Sequence, residues 1–306
     1  IDVNSANTKK NLIMKIIVLG ANGQLGSELL KYFKEEKNLK SFSKDTLDIS
    51  NLSSLENMIK IEKPEILVNA AAYTAVDNAE NNSEDAFKIN SEAMLCIAKN
   101  LQCLGSCLIH YSTDYVFDGS KETHYKETDP TSPLNIYGKS KLEGEKHIQN
   151  TMEKFFILRT SWVIGDHGNN FAKTMLKLFH EREFIKVIDD QYGVPTSTEL
   201  LSSVTCKIIS KIKNSDEMTS GVYNVCPKGK TTWYGIAQEI LSKVKKEKKI
   251  SNDKRVNILP IKTSEYKVIA KRPKNSLLCT KKIEKMLDFE LPYWKDDFNK
   301  VLNKII

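Results

Sequence analysis

Long apolar runs are missing from this chain. No stretch of about 18 or more apolar residues occurs in its 306 residues, so no segment is suited to cross a bilayer as a helix. No basic-then-apolar leader precedes the first structured stretch either, and a cytoplasmic protein with no membrane partner is expected. The six cysteines (Cys96, Cys103, Cys107, Cys206, Cys226, Cys279) form neither a CxxC pair nor a regular framework. Most sit in apolar surroundings, as buried free thiols in a reducing compartment do. The five histidines (His110, His124, His147, His167, His180) show no HExxH spacing, so a catalytic metal is not expected. A GxSxG elbow is absent, and nucleophilic hydrolysis has no support. The net charge of +7 is modest, and the densest lysine run, 243–249, carries Glu247 and no interleaved aromatics. Nucleic acid is therefore not an expected partner. Repeats and low-complexity segments are lacking too.

What remains is an ordinary globular composition, 40% hydrophobic and 28% charged, long enough for one large domain or two. Residues 1–13 read as a polar tail. Residues 15–19 are apolar and β-branched, as in a buried parallel strand, and run into Gly20, Ala21, Asn22, Gly23, Gln24, Leu25 and Gly26. Helical spacing follows at 28–33. Strand, glycine turn and helix in succession open a dinucleotide-binding fold: the glycines let the backbone approach a pyrophosphate, and the helix N-terminus holds the anion. A second strand at 39–43 ends in Ser43 and Lys44, where the adenine ribose is read. A hydroxyl and an ammonium there suit a 2′-phosphate and favour NADPH, with NADH possible, although Lys44 reads equally as a solvated loop lysine. Asp48, beside Ile49, is placed to accept from the adenine amino group. A third strand at 64–69 runs into Ala70, Ala71, Ala72, Tyr73 and Thr74, mostly small residues that would let a cofactor lie against the backbone.

A long crossover helix at 85–104 leads to a fourth strand at 107–112. Thr113, Asp114 and Tyr115 fall at its carboxyl end, the edge where open parallel sheets bind ligands. A polar, proline-bearing loop at 127–133 then precedes Tyr137 and Lys141. Tyr137 is the only one of 11 tyrosines with a lysine four residues on, a spacing that places both on one helical face but that composition alone can produce. An ammonium beside a phenol is expected to lower the tyrosine pKa, which suits it to protonate a carbonyl oxygen while hydride arrives from elsewhere. A fifth strand at 155–159 leads to Trp162, whose position just past a strand end favours a ligand-facing role over a core one. Beyond residue 165 helices and short strands mix. The expected organisation is a Rossmann-type doubly wound α/β domain over 14–165 and a smaller mixed α/β substrate lobe over 166–306, with boundaries that can interlace.

Several phrases together resemble a known family. They are GANGQLG at 20–26, VNAAAYTAVDNAE at 68–80, YSTDYVFDG at 111–119, ETDPTSPLNIYGKSKLEGE at 127–145, LRTSWVIGDHGNNF at 158–171, DDQYGVPTSTELL at 189–201, TTWYGIA at 231–237 and KRPKNSLL at 271–278. Running from residue 14 nearly to the end, they are similar to the extended short-chain dehydrogenases/reductases and, within these, to the dTDP-4-dehydrorhamnose reductases. The resemblance implies NAD(P)H-dependent reduction of a dTDP-linked 4-keto-6-deoxy sugar, dTDP-4-dehydro-L-rhamnose, to dTDP-L-rhamnose for cell-envelope polysaccharide. It implies a catalytic triad of Thr113, Tyr137 and Lys141. Gly23, Gln24, Leu25, Asp48, Ile49, Ala72, Tyr73, Thr74 and Tyr111 match cofactor contacts. Asp114 and Trp162 match substrate contacts, with Val76 and Tyr115 close by. Some members are described as joining subunits through Mg²⁺ held by acidic side chains. Glu28 and Glu199 match two of these positions, but Lys304 occupies the last, where an ammonium repels a divalent cation. The metal is thus doubtful, and either a monomer or a homodimer is open. Two other readings stand beside the reductase. One is a nucleotide-sugar epimerase or dehydratase, against which Tyr115 stands where dehydratases usually carry Glu. The other is a non-catalytic subunit like the regulatory subunit of methionine adenosyltransferase.

Overall fold

Four consecutive apolar residues, Ile16–Leu19, form a strand (β1) that is wholly buried, because helices cover both faces of the sheet in which it stands second from the edge. The structure is a computed structural model that describes residues 13–249 and 255–306; the tail expected at 1–13 lies outside it except for Ile13. Strand β1 pairs in parallel with β2 (Leu39–Phe42) on one side and β3 (Ile66–Asn69) on the other. Beyond β3 come β4 (Cys107–Thr113), β5 (Phe155–Thr160) and β6 (Gly221–Asn224), all parallel, in the order β6-β5-β4-β3-β1-β2. The chain leaves β1 towards β2 and returns on the far side at β3. That reversal opens a crevice at the strands' carboxyl ends.

Alternation along the strands divides the core in two. Ile16, Val18, Ile66, Val68 and Ile109 pack against Leu29 and Phe33 at α1 (Gln24–Tyr32) and against Leu201, Val204 and Ile208 of a later helix, Thr198–Lys213. Ile17, Leu19, Leu67 and Leu108 face the other way. They meet Leu55 and Ile59 of α2 (Leu52–Glu62), Ile97 and Leu101 of α3 (Ala93–Leu104), and Ile148 of α4 (Ile136–Thr151). A third core joins helices Phe171–Glu181, Trp233–Lys246 and Trp294–Ile305 to the paired strands Phe184–Ile188 and Asn257–Ile261.

A cut at residue 165 does not follow this packing. Helix Thr198–Lys213 covers the six-stranded sheet and β6 completes it, so chain beyond 166 is shared between the sheet's two faces and the third core. The crossover helix is also interrupted. Lys88–Glu92 is a π-helical turn between Ser83–Phe87 and α3. Such turns re-aim side chains, and here Asn90 is turned towards the site.

Candidate active site

The crevice begins at the glycine turn. Gly20 has φ +80°, and a Cβ there would lie 2.7 Å from the Ala71 nitrogen. A Cβ on Gly26 would lie 2.0 Å from the Gly20 carbonyl oxygen. Only glycine lets the turn, the third strand's exit and the first turn of α1 pack this closely. Gly23 caps α1 without a side-chain bond, leaving the helix's first N–H groups free for an anion. Gly20, Asn22, Gly23, Lys44, Asp48, Ile49 and residues 70–75, Tyr73 and Thr74 among them, line a cavity of about 440 Å³. A hydrogen bond from the Ser50 backbone holds the Asp48 carboxyl below the usual carboxylate range, keeping it an acceptor. A second cavity of about 530 Å³ continues along the edge, sharing Gly23 and residues 70–72 and adding Gln24, Leu25, Val76, Tyr111, Thr113, Asp114, Tyr115, Tyr137, Lys141 and Trp162. Two residues expected at the cofactor are not on these walls. Gly26 is consumed by packing under Gly20, and Ser43 is buried, its backbone N–H bonded to Thr46, so that Lys44 alone faces the adenosine end.

The second cavity gathers the reactive side chains. Helix α4 starts where Asn135 accepts from the Gly138 N–H at 2.7 Å, which places Tyr137 and Lys141 on the turns beneath the end of β4. Close approach requires glycines in α4: a Cβ on Gly138 would sit 2.3 Å from the Tyr115 carbonyl oxygen, and one on Gly144 2.0 Å from that of Asn90. Asn90 exchanges two bonds with the Tyr73 backbone, 2.9 and 3.0 Å, and donates to Ser140 at 3.0 Å. It thereby ties the cofactor wall to the catalytic helix. Thr113, last residue of β4, accepts from the Tyr115 N–H at 3.1 Å, donates to Asp114 at 3.2 Å and faces the Tyr137 phenol. The Tyr115 and Tyr137 rings meet edge to face at 5.7 Å.

The expected lowering of the tyrosine pKa is not what the fold supplies. Burial pushes Tyr137 up to about 12, the Thr113 bond works against this, and the Asp114 charge adds to it. The lysine's charge is engaged elsewhere: Lys141 donates to the Tyr111 carbonyl at 2.7 Å and lies 3.0 Å from His110 Nε2. Burial draws Lys141 down to about 8 and lifts Asp114 to about 7. Asp114 Oδ2 is a buried acceptor with no hydrogen-bond partner among the described residues; Ser276 lies beside the carboxyl, and Asp114 lines the cavity. Tyr111 lines the same cavity, but its hydroxyl is bound at 2.5 Å to Thr205 on the covering helix, so the main chain is what it offers.

Aromatic rings form the outer wall. Trp162 has φ +47° and stacks on Trp233 at 4.0 Å, with Phe171 at 4.8 Å from Trp233. The Trp162 ring lines the second cavity, a position open to a ligand-facing role. Trp233, Phe171, Asn90 and the His110–Asn69 pair were not singled out by spacing. Of these, Trp233 lies inside TTWYGIA, Phe171 ends LRTSWVIGDHGNNF and Asn69 stands in VNAAAYTAVDNAE, whereas Asn90 and His110 fall outside every such phrase. The metal positions fare differently. Glu199 is ion-paired with Lys304, and Glu28 with Lys31 at 2.9 Å. Among the described residues no group of three or more His, Cys, Asp or Glu could hold a metal. The Lys304 ammonium fills the place a cation would need, so this donor set does not fit Mg²⁺.

A parallel sheet with a glycine turn at its switch point, and a Thr–Tyr–Lys cluster on the same edge, define an extended short-chain dehydrogenase/reductase. The family model described as the RmlD substrate binding domain matches residues 14–306. A curated dTDP-4-dehydrorhamnose reductase of Escherichia coli K12 is 40% identical over 296 residues, 95% of this chain and 98% of that protein. One of Burkholderia thailandensis is 39% identical over 285 residues, covering 92% and 96%. A solved dTDP-4-dehydrorhamnose reductase of Bacillus anthracis, in complex with NADP, superimposes with a TM-score of 0.85 at 35% identity, over 95% of this chain and 99% of that one. The chain belongs to the dTDP-4-dehydrorhamnose reductase family.

Proposed function

We propose that the chain reduces the 4-keto group of dTDP-4-dehydro-L-rhamnose to give dTDP-L-rhamnose, using NADPH, for cell-envelope polysaccharide synthesis. The observation that carries this reading is the convergence of Thr113, Asp114, Tyr137 and Lys141 on one cavity contiguous with the glycine cradle. It occurs in a chain matched over almost its whole length by relatives bearing that name. Both cavities together suit a dinucleotide followed by a sugar, and Lys44 at the adenosine end suits a 2′-phosphate. When bound, reduced nicotinamide supplies the hydride.

The residues do the rest. Tyr137 gives its phenolic proton to the C4 oxygen of the sugar as charge develops there, and Thr113 hydrogen-bonds the same oxygen. Lys141 balances the tyrosinate left behind. Trp162 and Trp233 cover the sugar and exclude water, so the few polar contacts act in a low dielectric. Asp114 Oδ2, lacking a partner, receives a sugar hydroxyl. The test is NADPH oxidation by the purified protein on adding dTDP-4-keto-6-deoxy-L-mannose, with NADH in parallel. Turnover with NADPH favoured supports the reading. Cofactor binding without consumption of either nicotinamide would turn it towards a binding subunit.

A further inference from the structure

Trp162 stands in a conformation that needs support. Its φ of +47° lies in the left-handed region, which a large aromatic residue rarely occupies unless its surroundings impose it. Three contacts do so. The Trp162 carbonyl accepts from the Thr196 N–H at 3.1 Å. The ring lies so close to Gly193 that a Cβ there would fall 2.7 Å from it. The third support is Trp233, stacked on Trp162 at 4.0 Å with the two planes 23° apart. Strands Tyr192–Gly193 and Thr231–Thr232 pair antiparallel, which brings Gly193 and Trp233 against the same indole.

Trp233 is in turn held by Gln191, the last of three consecutive side chains that tie 189–191 to later chain. Asp189 accepts from the Thr232 hydroxyl at 2.6 Å, at the cap of helix Trp233–Lys246. Asp190 accepts from the Thr263 hydroxyl at 2.5 Å and from the Thr263 N–H at 2.8 Å. The Thr263 oxygen, its one proton spent, accepts from Gln191 Nε2 at 3.2 Å. Gln191 Oε1 is thereby turned to Trp233, whose indole N–H, a donor only, meets it at 3.2 Å. Gln191 is 3% exposed, so both bonds are made inside the protein. The two indoles therefore differ. The Trp233 N–H is committed to the frame, whereas the Trp162 N–H has no partner among the described residues, and both rings line the second cavity.

We propose that Gln191 is a positioning residue for the sugar nucleotide: by holding the Trp233 indole through its N–H, it keeps in place the plate that fixes Trp162 on the cavity wall before substrate arrives. Without Gln191 Oε1 the Trp233 ring is free to turn about its side-chain bonds in search of another acceptor. Trp162 then loses a support that its left-handed backbone needs. Substrate would have to order both rings as it binds, and that cost falls on affinity. Thr113 and Tyr137, where the proton moves, have no bond to this chain of groups, so the effect belongs in KM rather than in kcat. The consequence for the sugar rests on the function proposed above, whereas the pinned pair of indoles does not.

The test joins a spectrum to kinetics. Two indoles stacked at 4.0 Å couple their transitions, so the circular dichroism of the free protein should carry an exciton couplet that Trp162→Phe abolishes. Gln191→Leu should lose most of that couplet. It should also raise KM for dTDP-4-keto-6-deoxy-L-mannose about tenfold, the effect of one buried N–H left unsatisfied, with kcat within about twofold and NADPH affinity unchanged. Trp233→Phe keeps an aromatic plate but has no N–H to hold. Adding Gln191→Leu to it should therefore raise KM by less than about twofold further. An undiminished loss in that background would show Gln191 acting through Thr263 or the fold at large, and overturns the proposal. Should Gln191→Leu not fold, Gln191→Asn, one methylene too short to reach both partners, carries the same cycle. A protein that reduces the keto-sugar with KM and couplet unchanged in Gln191→Leu refutes the positioning role alone. One that loses its couplet in Gln191→Leu but reduces no keto-sugar keeps the pinned indoles and refutes the function.

Discussion

Removal of one oxygen, in Tyr137→Phe, separates the proposed chemistry from the structure that supports it. The ring is half-buried on the cavity wall, and its hydroxyl faces that of Thr113. Thr113 keeps two other bonds, to Asp114 and from the Tyr115 N–H, so it is not orphaned when the phenol goes. The ring's edge-to-face contact with Tyr115 is retained. Folding and cofactor binding should therefore be nearly unchanged. Catalysis should not be, because the Thr113 hydroxyl that shares the oxygen is an aliphatic alcohol, too weak an acid to replace the phenol. Loss of a positioned acid costs about 10²–10⁴ in rate, equivalent to about 3–5 kcal/mol of barrier. The assay is NADPH oxidation at saturating sugar, with thermal melting and NADPH fluorescence titration beside it. A variant that folds, binds NADPH and turns over at the wild-type rate would show that Tyr137 is not the proton donor.

Three other perturbations probe the cradle, the buried acid and the frame. Gly26→Ala drives a Cβ to 2.0 Å from the Gly20 carbonyl, so the turn must open, and NADPH titration should show strongly weakened binding. Asp114→Asn tests a carboxyl whose pKa burial raises from 3.8 to about 7. Such a group contributes stability below its unfolded pKa and loses it as pH rises towards 7, by at most about 4 kcal/mol for that shift. The variant's melting temperature should therefore gain on the wild type as pH increases from 5 to 8, and a constant difference would contradict the assignment. Glu145→Gln breaks a buried bidentate pair with Arg159, both nearly unexposed, and should cost about 3–5 kcal/mol in denaturant unfolding.

Fold and site were legible in the sequence to different depths. The apolar run at 16–19, the glycines at 20, 23 and 26, and the strands ending at Asn69 and Thr113 each carry a local pattern, so their succession announces the crevice. Tyr137 and Lys141 acquire meaning only from standing below that crevice. Pairings across long separations leave no such pattern. Nothing near Gly221 says that it completes a sheet begun some 200 residues earlier, since the register with Phe156 is set by packing. Asn90 is likewise silent in sequence, because the π-turn that aims it at Tyr73 and Ser140 is a tertiary compromise. His110 was visible but weighed only as a metal ligand; its partners lie 41 residues back and 31 residues ahead. The lysine's effect on Tyr137 is hidden for the same reason, as spacing gives proximity along a helix but not the competing carbonyl of Tyr111.

The central claim, that this crevice carries hydride from a nicotinamide to C4 of a nucleotide-linked keto-sugar, has one direct measurement. NADPH deuterated at C4 of the nicotinamide is mixed in single turnover with dTDP-4-keto-6-deoxy-L-mannose, and the sugar is examined by NMR. One deuterium at C4 of a product identified as dTDP-L-rhamnose is expected, with one NADPH oxidised for each sugar reduced. Deuterium at another carbon, or a transformed sugar with NADPH unconsumed, would contradict the account.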